Sequence, residues 1–196
     1  AFNTTRKSYS TTENEIVTTR VDEFAAYRTY NFSTNLGTTV YGTFDFGEDK
    51  KIQAIRHKVM PTISYSYSPS FEQYYDTYAI DANGTTMQEY SRFEGSIYGA
   101  PSNNKSSSIG LGLNNTFEAK VKKEDKKTGK EEIKKVMLLN NFNISTSYNT
   151  IADSLALQPL SITGGTNLLK DKMTVNFSSQ LDLYAIDNSG RRINTF

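Results

Sequence analysis

The sequence predicts an all-β chain whose antiparallel, up-and-down strands form part of a large outer-membrane β-barrel. Three observations predict it. Apolar residues alternate at period 2 through six long segments, and helical periodicity is scarce. No apolar run reaches the roughly 18 residues that a membrane-crossing helix needs. Compact charged connections alternate with long soft ones, as in barrels with short turns at one rim and long loops at the other.

Composition narrows the functional classes. The 196 residues carry 22 Lys+Arg against 21 Asp+Glu, a formal net charge of +1. Nucleic-acid binding by bulk electrostatics needs a clustered basic excess, so nucleic acid is excluded as a partner. Cys is absent, which removes disulfides, Cys-ligated zinc and thiol catalysis. A single His removes His-rich metal sites and most triads. Tyr (13) and Phe (11) supply the aromatic content in the absence of Trp. The mean hydropathy of −0.57 reads as soluble in a simple scan. A membrane barrel averages out equally polar, because lipid-facing and lumen-facing residues alternate.

The elements follow in order. The first strand, near 28–46, sets Tyr30, Phe32, Leu36, Val40, Phe44 and Phe46 against Asn31, Ser33, Asn35, Thr39 and Asp45. The second, near 52–67, puts Val59, Pro61, Ile63, Tyr65 and Tyr67 opposite Lys58, Met60, Thr62, Ser64 and Ser66. In the third, near 106–122, Ile109, Leu111, Leu113, Phe117, Ala119 and Val121 alternate with Ser108, Gly110, Gly112, Asn114 and Lys120. A fourth near 134–148 has Val136, Leu138, Phe142, Ile144 and Tyr148 against Asn141, Asn143, Ser145 and Ser147. The fifth, near 160–168, is weaker, with Leu160, Ile162 and Leu168 on one face. The sixth, near 173–185, sets Met173, Val175, Phe177, Leu181 and Leu183 against Thr174, Asn176, Ser178, Gln180 and Asp182. Strands this long exceed the common length of about 5–6 residues, and a tilted strand needs only about 9–11 to cross a bilayer.

Connections at 47–51, 124–132 and 169–172 are charged and predict hairpin turns on one side. The stretches 1–27, 69–105 and 149–159 are expected as long loops. DANG (81–84) is a turn signal, and KKTGK (126–130) lacks P-loop glycine spacing. Tyr27, Tyr30, Phe44, Phe46, Tyr65, Tyr67, Tyr148 and Tyr184 stand near strand ends, as interfacial girdles do. Six strands fall short of the roughly eight that close a single-chain barrel, and open edges in lipid are costly. Either further strands or further copies are therefore expected. The opening AFNTTRKSYS shows no initiator Met and no signal-peptide pattern, which adds to the expectation of an internal piece of a longer chain.

The stretch 36–71, with its core IRHKVMPTISYSYSPSF, resembles the LptD (OstA, Imp) lipopolysaccharide-assembly outer-membrane family in its Bacteroidota-type branch. SRFEGSIYGAP (91–101), LNNTFEAKVK (113–122) and LDLYAIDNSGRRIN (181–194) resemble the same branch. The resemblance implies a translocon barrel that inserts lipopolysaccharide or a related glycolipid into the outer leaflet of the cell outer membrane. It implies outer-membrane lipids, a plug lipoprotein of the LptE type and periplasmic lipopolysaccharide-bridge proteins as partners. Acyl chains would leave sideways between first and last strands while sugars cross the lumen, with no catalysis, cofactor or metal. The residues that carry the motif, Arg56, His57, Pro61, Tyr65 and Pro69, are expected to be structural. A strand proline such as Pro61 needs an edge, a bulge or a weakened pairing; in the resembled family such prolines loosen the gate. The competing readings are a generic outer-membrane transport or secretion barrel and a surface-exposed β-rich adhesion module. A lipid hydrolase would have His57 as its sole general base.

Overall fold

The computed structural model describes residues 3–124, 131–168 and 172–196. These form two compact units, Ala1–Phe32 with Tyr67–Ser106, and Ser33–Ser66 with Ser107–Phe196. Among the described residues the regular structure is all strand apart from one 3-10 turn at Glu72–Tyr74, and the strands pair antiparallel.

The first unit is built from two hairpins. β1 (Asn3–Ser10) pairs β2 (Glu15–Asp22). The chain then continues through β3 (Phe32–Gly37), β4 (Val40–Asp45) and β5 (Ile52–Ser68) of the second unit. It returns to pair β6 (Tyr75–Ala79) with β7 (Met87–Ser91). The Thr5 N–H donates to the Arg92 carbonyl at 2.9 Å and links the two hairpins. The core between them is aromatic. Phe93, 2% exposed, takes the edges of Tyr27 and Tyr74 at centroid distances of 4.8 and 5.8 Å. Phe71 meets Tyr30 at 5.7 Å, and Tyr78 meets Tyr90 at 5.6 Å. Edge-to-face pairs of this kind contribute about 0.5–1.5 kcal/mol beyond their buried area.

These hairpins correct the expectation of long loops over 1–27 and 69–105. Their strands are too polar to show apolar alternation: NTTRKSYS buries Thr4, and MQEYS buries Tyr90 and Ser91. The DANG signal behaves as a turn. The Gly84 N–H reaches the Asp81 carbonyl at 3.2 Å, and Gly84 adopts a φ of +66°, where a Cβ would be strained.

The second unit is one sheet. β8 (Ser106–Glu124), β9 (Glu131–Asn149), β10 (Leu160–Leu168) and β11 (Met173–Leu181) complete it. Its order is β11-β10-β9-β8-β5-β3, with β4 also on β5. β4 pairs β5 in the register Val40↔Val59 to Asp45↔Ala54. The Thr38 N–H donates to the Pro61 carbonyl at 3.2 Å in that same register. β3 and β4 are therefore two halves of one strand, and the sheet is a six-strand meander. The break falls at Thr38–Thr39 because Pro61 has no N–H to return the second bond of the pair.

The three expected hairpins are present. β8 and β9 pair from Ser108↔Asn149 to Glu124↔Glu131, and β10 and β11 from Leu160↔Leu181 to Leu168↔Met173. Their turns, expected at 124–132 and 169–172, lie for 125–130 and 169–171 outside the described residues, as does KKTGK. The sheet does not close on itself among the described residues: the β3/β4 strand and β11 are its two edges.

Two strand bounds differ from expectation. Residues 28–31 precede β3, and Tyr30 packs on Phe71 instead. β11 ends at Leu181, so Asp182 and Leu183 are not strand residues. Asp182 accepts the Tyr184 N–H at 3.1 Å and pairs with Arg192 at 2.6 Å, which turns the chain out of the ladder. The 149–159 segment then docks on this C-terminal stretch. The Leu157 N–H donates to the Tyr184 hydroxyl and the Leu155 N–H to Asn194 Oδ1, both at 3.0 Å.

Candidate functional site

The register brings the alternating faces of the six strands into line. Across β8, β9, β10 and β11, Leu113 pairs Ile144, Ile144 pairs Ile162 and Ile162 pairs Ser179. The adjoining row is Asn115, Phe142, Gly164 and Phe177. A further row joins Leu160 to Leu181 and Leu111 to Thr146. On β5 and β4 the same face carries Val59 with Val40 and Ile55 with Phe44. Six strands thus present one nearly continuous apolar surface.

Nothing among the described residues covers it. Leu36 is 66% exposed, Phe44 61% and Leu181 51%. Of the sheet strands only Ala119 belongs to the buried apolar set. A monomer in water rarely exposes a contiguous apolar patch beyond about 300–600 Å². A sheet one residue deep, apolar on one side and without a second layer, matches a barrel wall whose outer face meets lipid.

The opposite face is polar and almost uncharged at its centre. Gly112, Ser145, Ser161 and Gln180 form one row, and Asn114, Asn143, Thr163 and Ser178 the next. Thr62 and Ser64 lean over Gly112 and Gly110, where a Cβ would sit 2.5 Å from each hydroxyl oxygen. Charges gather toward the turn end: Arg56 Nη2 meets Glu118 Oε2 at 2.9 Å, and Lys122 meets Glu131 at 2.6 Å. The β8–β9 ladder has 19 residues in each strand. At about 3.3 Å per residue that length exceeds the about 30 Å of a hydrocarbon core.

The motif residues do not converge on one centre. His57, Pro61 and Tyr65 share the apolar face of β5, while Arg56 lies on the polar face. Pro69 stands just past the end of β5 at Ser68. Tyr65 accepts the Ser107 hydroxyl at 3.3 Å. His57 stacks on Phe117 with centroids 4.1 Å apart and bonds Asn115 Oδ1 through Nε2 at 2.9 Å. Both contacts are made within the sheet, across β5 and β8.

Asn115 is the residue that sequence reasoning missed. It is 5% exposed and sits where β8 and β9 shift register between Asn115, Phe117 and Glu118. Its amide donates to the carbonyls of Leu113 at 3.3 Å and Phe142 at 3.1 Å. One side chain so satisfies backbone groups that the irregularity leaves over. A signal was available: the apolar series Ile109, Leu111, Leu113 skips to Phe117, leaving a polar residue on the lipid side.

Outside the sheet, two electrostatic features fix the first unit. Lys7 meets Glu94 at 2.7 Å, and that hydrogen bond raises the ammonium above its ordinary value. The Asp81 carboxylate accepts the Thr85 hydroxyl at 2.7 Å and the Thr85 and Thr86 amides at 2.8 and 2.9 Å. These bonds hold it well below the usual carboxylate range. Among the described residues no group of three or more His, Asp or Glu could hold a metal ion.

An antiparallel sheet with one lipid-matched face and one wet face defines a wall of the outer-membrane barrel class. The family model described as LptD protein matches residues 1–184. The chain belongs to the LptD family, whose members serve lipopolysaccharide assembly and transport at the outer membrane. The match does not distinguish the Bacteroidota branch. No curated protein and no solved structure matches the chain.

Proposed function

We propose that this chain is a wall segment of an outer-membrane translocon barrel that inserts lipopolysaccharide or a related glycolipid into the outer leaflet. The observation that carries the reading is the register-aligned apolar face backed by a polar face whose central rows are uncharged. Acyl chains match the first and sugar hydroxyls match the second, so both halves of an amphipathic glycolipid find a compatible surface. Family membership favours this over a generic transport or secretion barrel and over an adhesion module.

In this reading the two open edges, β3/β4 and β11, pair with further strands of a larger barrel. The polar face borders the lumen, where a plug lipoprotein of the LptE type sits. The charged end of β8–β9 points to the periplasm, toward the lipopolysaccharide-bridge proteins. The protein is a conduit, and Arg56, His57, Pro61, Tyr65 and Pro69 shape its wall.

Photo-crosslinking in cells tests this. A benzophenone amino acid at Asn143 or Gln180 is expected to capture lipopolysaccharide while export runs. At Ile144 or Leu181 it should capture bulk phospholipid. Lumen positions that never capture lipopolysaccharide during active export would refute the assignment.

A further inference from the structure

DANG (81–84) plays no part in the barrel wall, and its last two residues are the one Asn-Gly pair of the sequence. They stand in the loop between β6 and β7, where Asn83 and Gly84 are both exposed. A Cβ built on Gly84 would meet nothing within 4 Å, so the space around its amide is open. The Asn83 side chain makes no hydrogen bond among the described residues and is able to turn. Such a pair reacts within its own backbone. Once solvent hydroxide takes the Gly84 amide proton, that nitrogen attacks Asn83 Cγ. The new N–C bond closes a five-membered succinimide, and Nδ2 leaves as ammonia with a proton from water. A second water then opens the ring at either carbonyl, giving aspartate or isoaspartate. Glycine as the attacking residue sets no Cβ in the way of the backbone rotation this needs.

The folded turn opposes that attack. The Gly84 N–H donates to the Asp81 carbonyl at 3.2 Å, which makes Asn83 the third residue of a four-residue turn. The commonest turn type holds that position at a ψ of about 0°. Cyclisation needs the Gly84 nitrogen rotated away from there, toward the Asn83 side chain. The Asp81 carboxylate clamps the loop in place through the Thr85 hydroxyl at 2.7 Å and the Thr85 and Thr86 amides at 2.8 and 2.9 Å. The Ile80 N–H closes the base of the loop on the Thr86 carbonyl at 3.0 Å. The second unit holds a comparable turn at Asp187–Gly190, where the Gly190 N–H donates to the Asp187 carbonyl at 3.0 Å. There the nitrogen that would attack Asn188 belongs to Ser189, and it donates to the Asp187 carboxylate at 2.8 Å. A charge-assisted bond of that kind holds its proton more firmly than a neutral one.

We propose that Asn83 is a deamidation site gated by opening of the Asp81 turn, with water as the co-reactant. The reaction proceeds only from the opened loop, so the hydrogen bonds to Asp81 set its rate. Isoaspartate at position 83 adds one carbon to the backbone ahead of Gly84. In a loop this short, the Thr85 and Thr86 bonds to Asp81 then no longer fit. Deamidation therefore removes the restraint that had slowed it, and the β6–β7 loop loses its fixed shape in each molecule that reacts.

The test holds full-length protein in detergent in mildly alkaline buffer made with oxygen-18 water, and follows it by peptide mass spectrometry. Cleavage after Lys58 and Arg92 releases a peptide in which Asn83 is the only Asn, and fragment ions separate it from Gln73 and Gln88. Electron-transfer fragmentation distinguishes aspartate from isoaspartate. In folded wild type, Asn83 is expected to convert about ten-fold faster than Asn188, and unfolding in urea should speed Asn83 about ten-fold. Asp81→Ala and Thr85→Val should each speed Asn83 about five-fold in the folded protein and leave its rate in urea unchanged. Unchanged thermal unfolding of the two variants separates the clamp from a global loss of stability. An Asn83 that stays unlabelled, or that converts no faster than Asn188, overturns the proposal. So does a folded rate equal to the rate in urea, and so do clamp variants that react as wild type does. A glycan on Asn83 in the protein as isolated also overturns it, because Asn83-Gly84-Thr85 would then be a glycan acceptor.

Discussion

Asn115 shows how one side chain can hold a barrel wall together. Its amide bonds two carbonyls at the β8–β9 irregularity, and its oxygen faces the imidazole of His57. Asn115→Leu would keep the volume and strand those groups in an apolar setting. The expected cost is roughly 1–3 kcal/mol, read as a lower urea midpoint of the detergent-folded protein. A midpoint equal to wild type would show that water serves those carbonyls equally well. Neighbouring positions of β11 test the two faces directly. Leu181→Arg should destabilise by about 2–4 kcal/mol if it lies near the bilayer midplane, while Gln180→Arg on the wet face should be nearly neutral. Equal effects would contradict the face assignment. Asp81 gives a pH prediction. Its folded carboxyl lies below the unfolded value, so its contribution is full above the unfolded pKa and lost as pH falls through the folded one. The Thr85 and Thr86 amide shifts should therefore hold steady as pH drops past about 4, the ordinary carboxylate range, and move only in stronger acid. A midpoint in the ordinary range would mean that the loop bonds do not form.

At the scale of elements, Pro61 decides how the first strand is divided. It occupies the interior of β5 and is flanked by β8 on one side and β3/β4 on the other. The usual expectation is that a strand proline sits on an edge or in a bulge. Here a third solution applies: the ladder on one side is interrupted, and the partner strand falls into two halves. Pro61→Val would restore the missing donor to Thr38. One backbone hydrogen bond is worth roughly 0.5–1.5 kcal/mol, so hydrogen exchange through Thr38–Val40 should slow and the new amide at position 61 should be protected. An amide at position 61 that exchanges as fast as an open loop would show that something other than the proline breaks the strand.

At the scale of the whole molecule, the open edges dominate. Among the described residues β11 and β3/β4 have no partner strand on their outer sides, and lipid offers backbone groups no hydrogen bonds. Residues 1–196 expressed alone in detergent should therefore aggregate or stay unstructured. The full-length protein should give a heat-modifiable barrel with a co-purifying lipoprotein. A monodisperse, protease-resistant monomer of 22.0 kDa in plain buffer would remove the membrane reading altogether.

Period-2 alternation made the sheet legible in the sequence, because its strands form one layer whose two faces differ in polarity. Apolar and polar residues at Val175, Asn176, Phe177 and Ser178 report those faces residue by residue. The hairpins of the sheet and the turn at Asp81 followed from charge clusters and local turn chemistry. The β1/β2 and β6/β7 hairpins did not. Their stability comes from aromatic packing around Phe93 between segments more than forty residues apart, which leaves no local period. The same holds for the end of β11, where Asp182 is drawn out of the strand by Arg192 and Tyr184. Tertiary structure alone aligned the apolar faces of six strands, placed Asn115 at the register shift and showed that the proline motif interrupts a neighbour's ladder. Local sequence sets which way a side chain points, but only pairing register determines which side chains stand beside it.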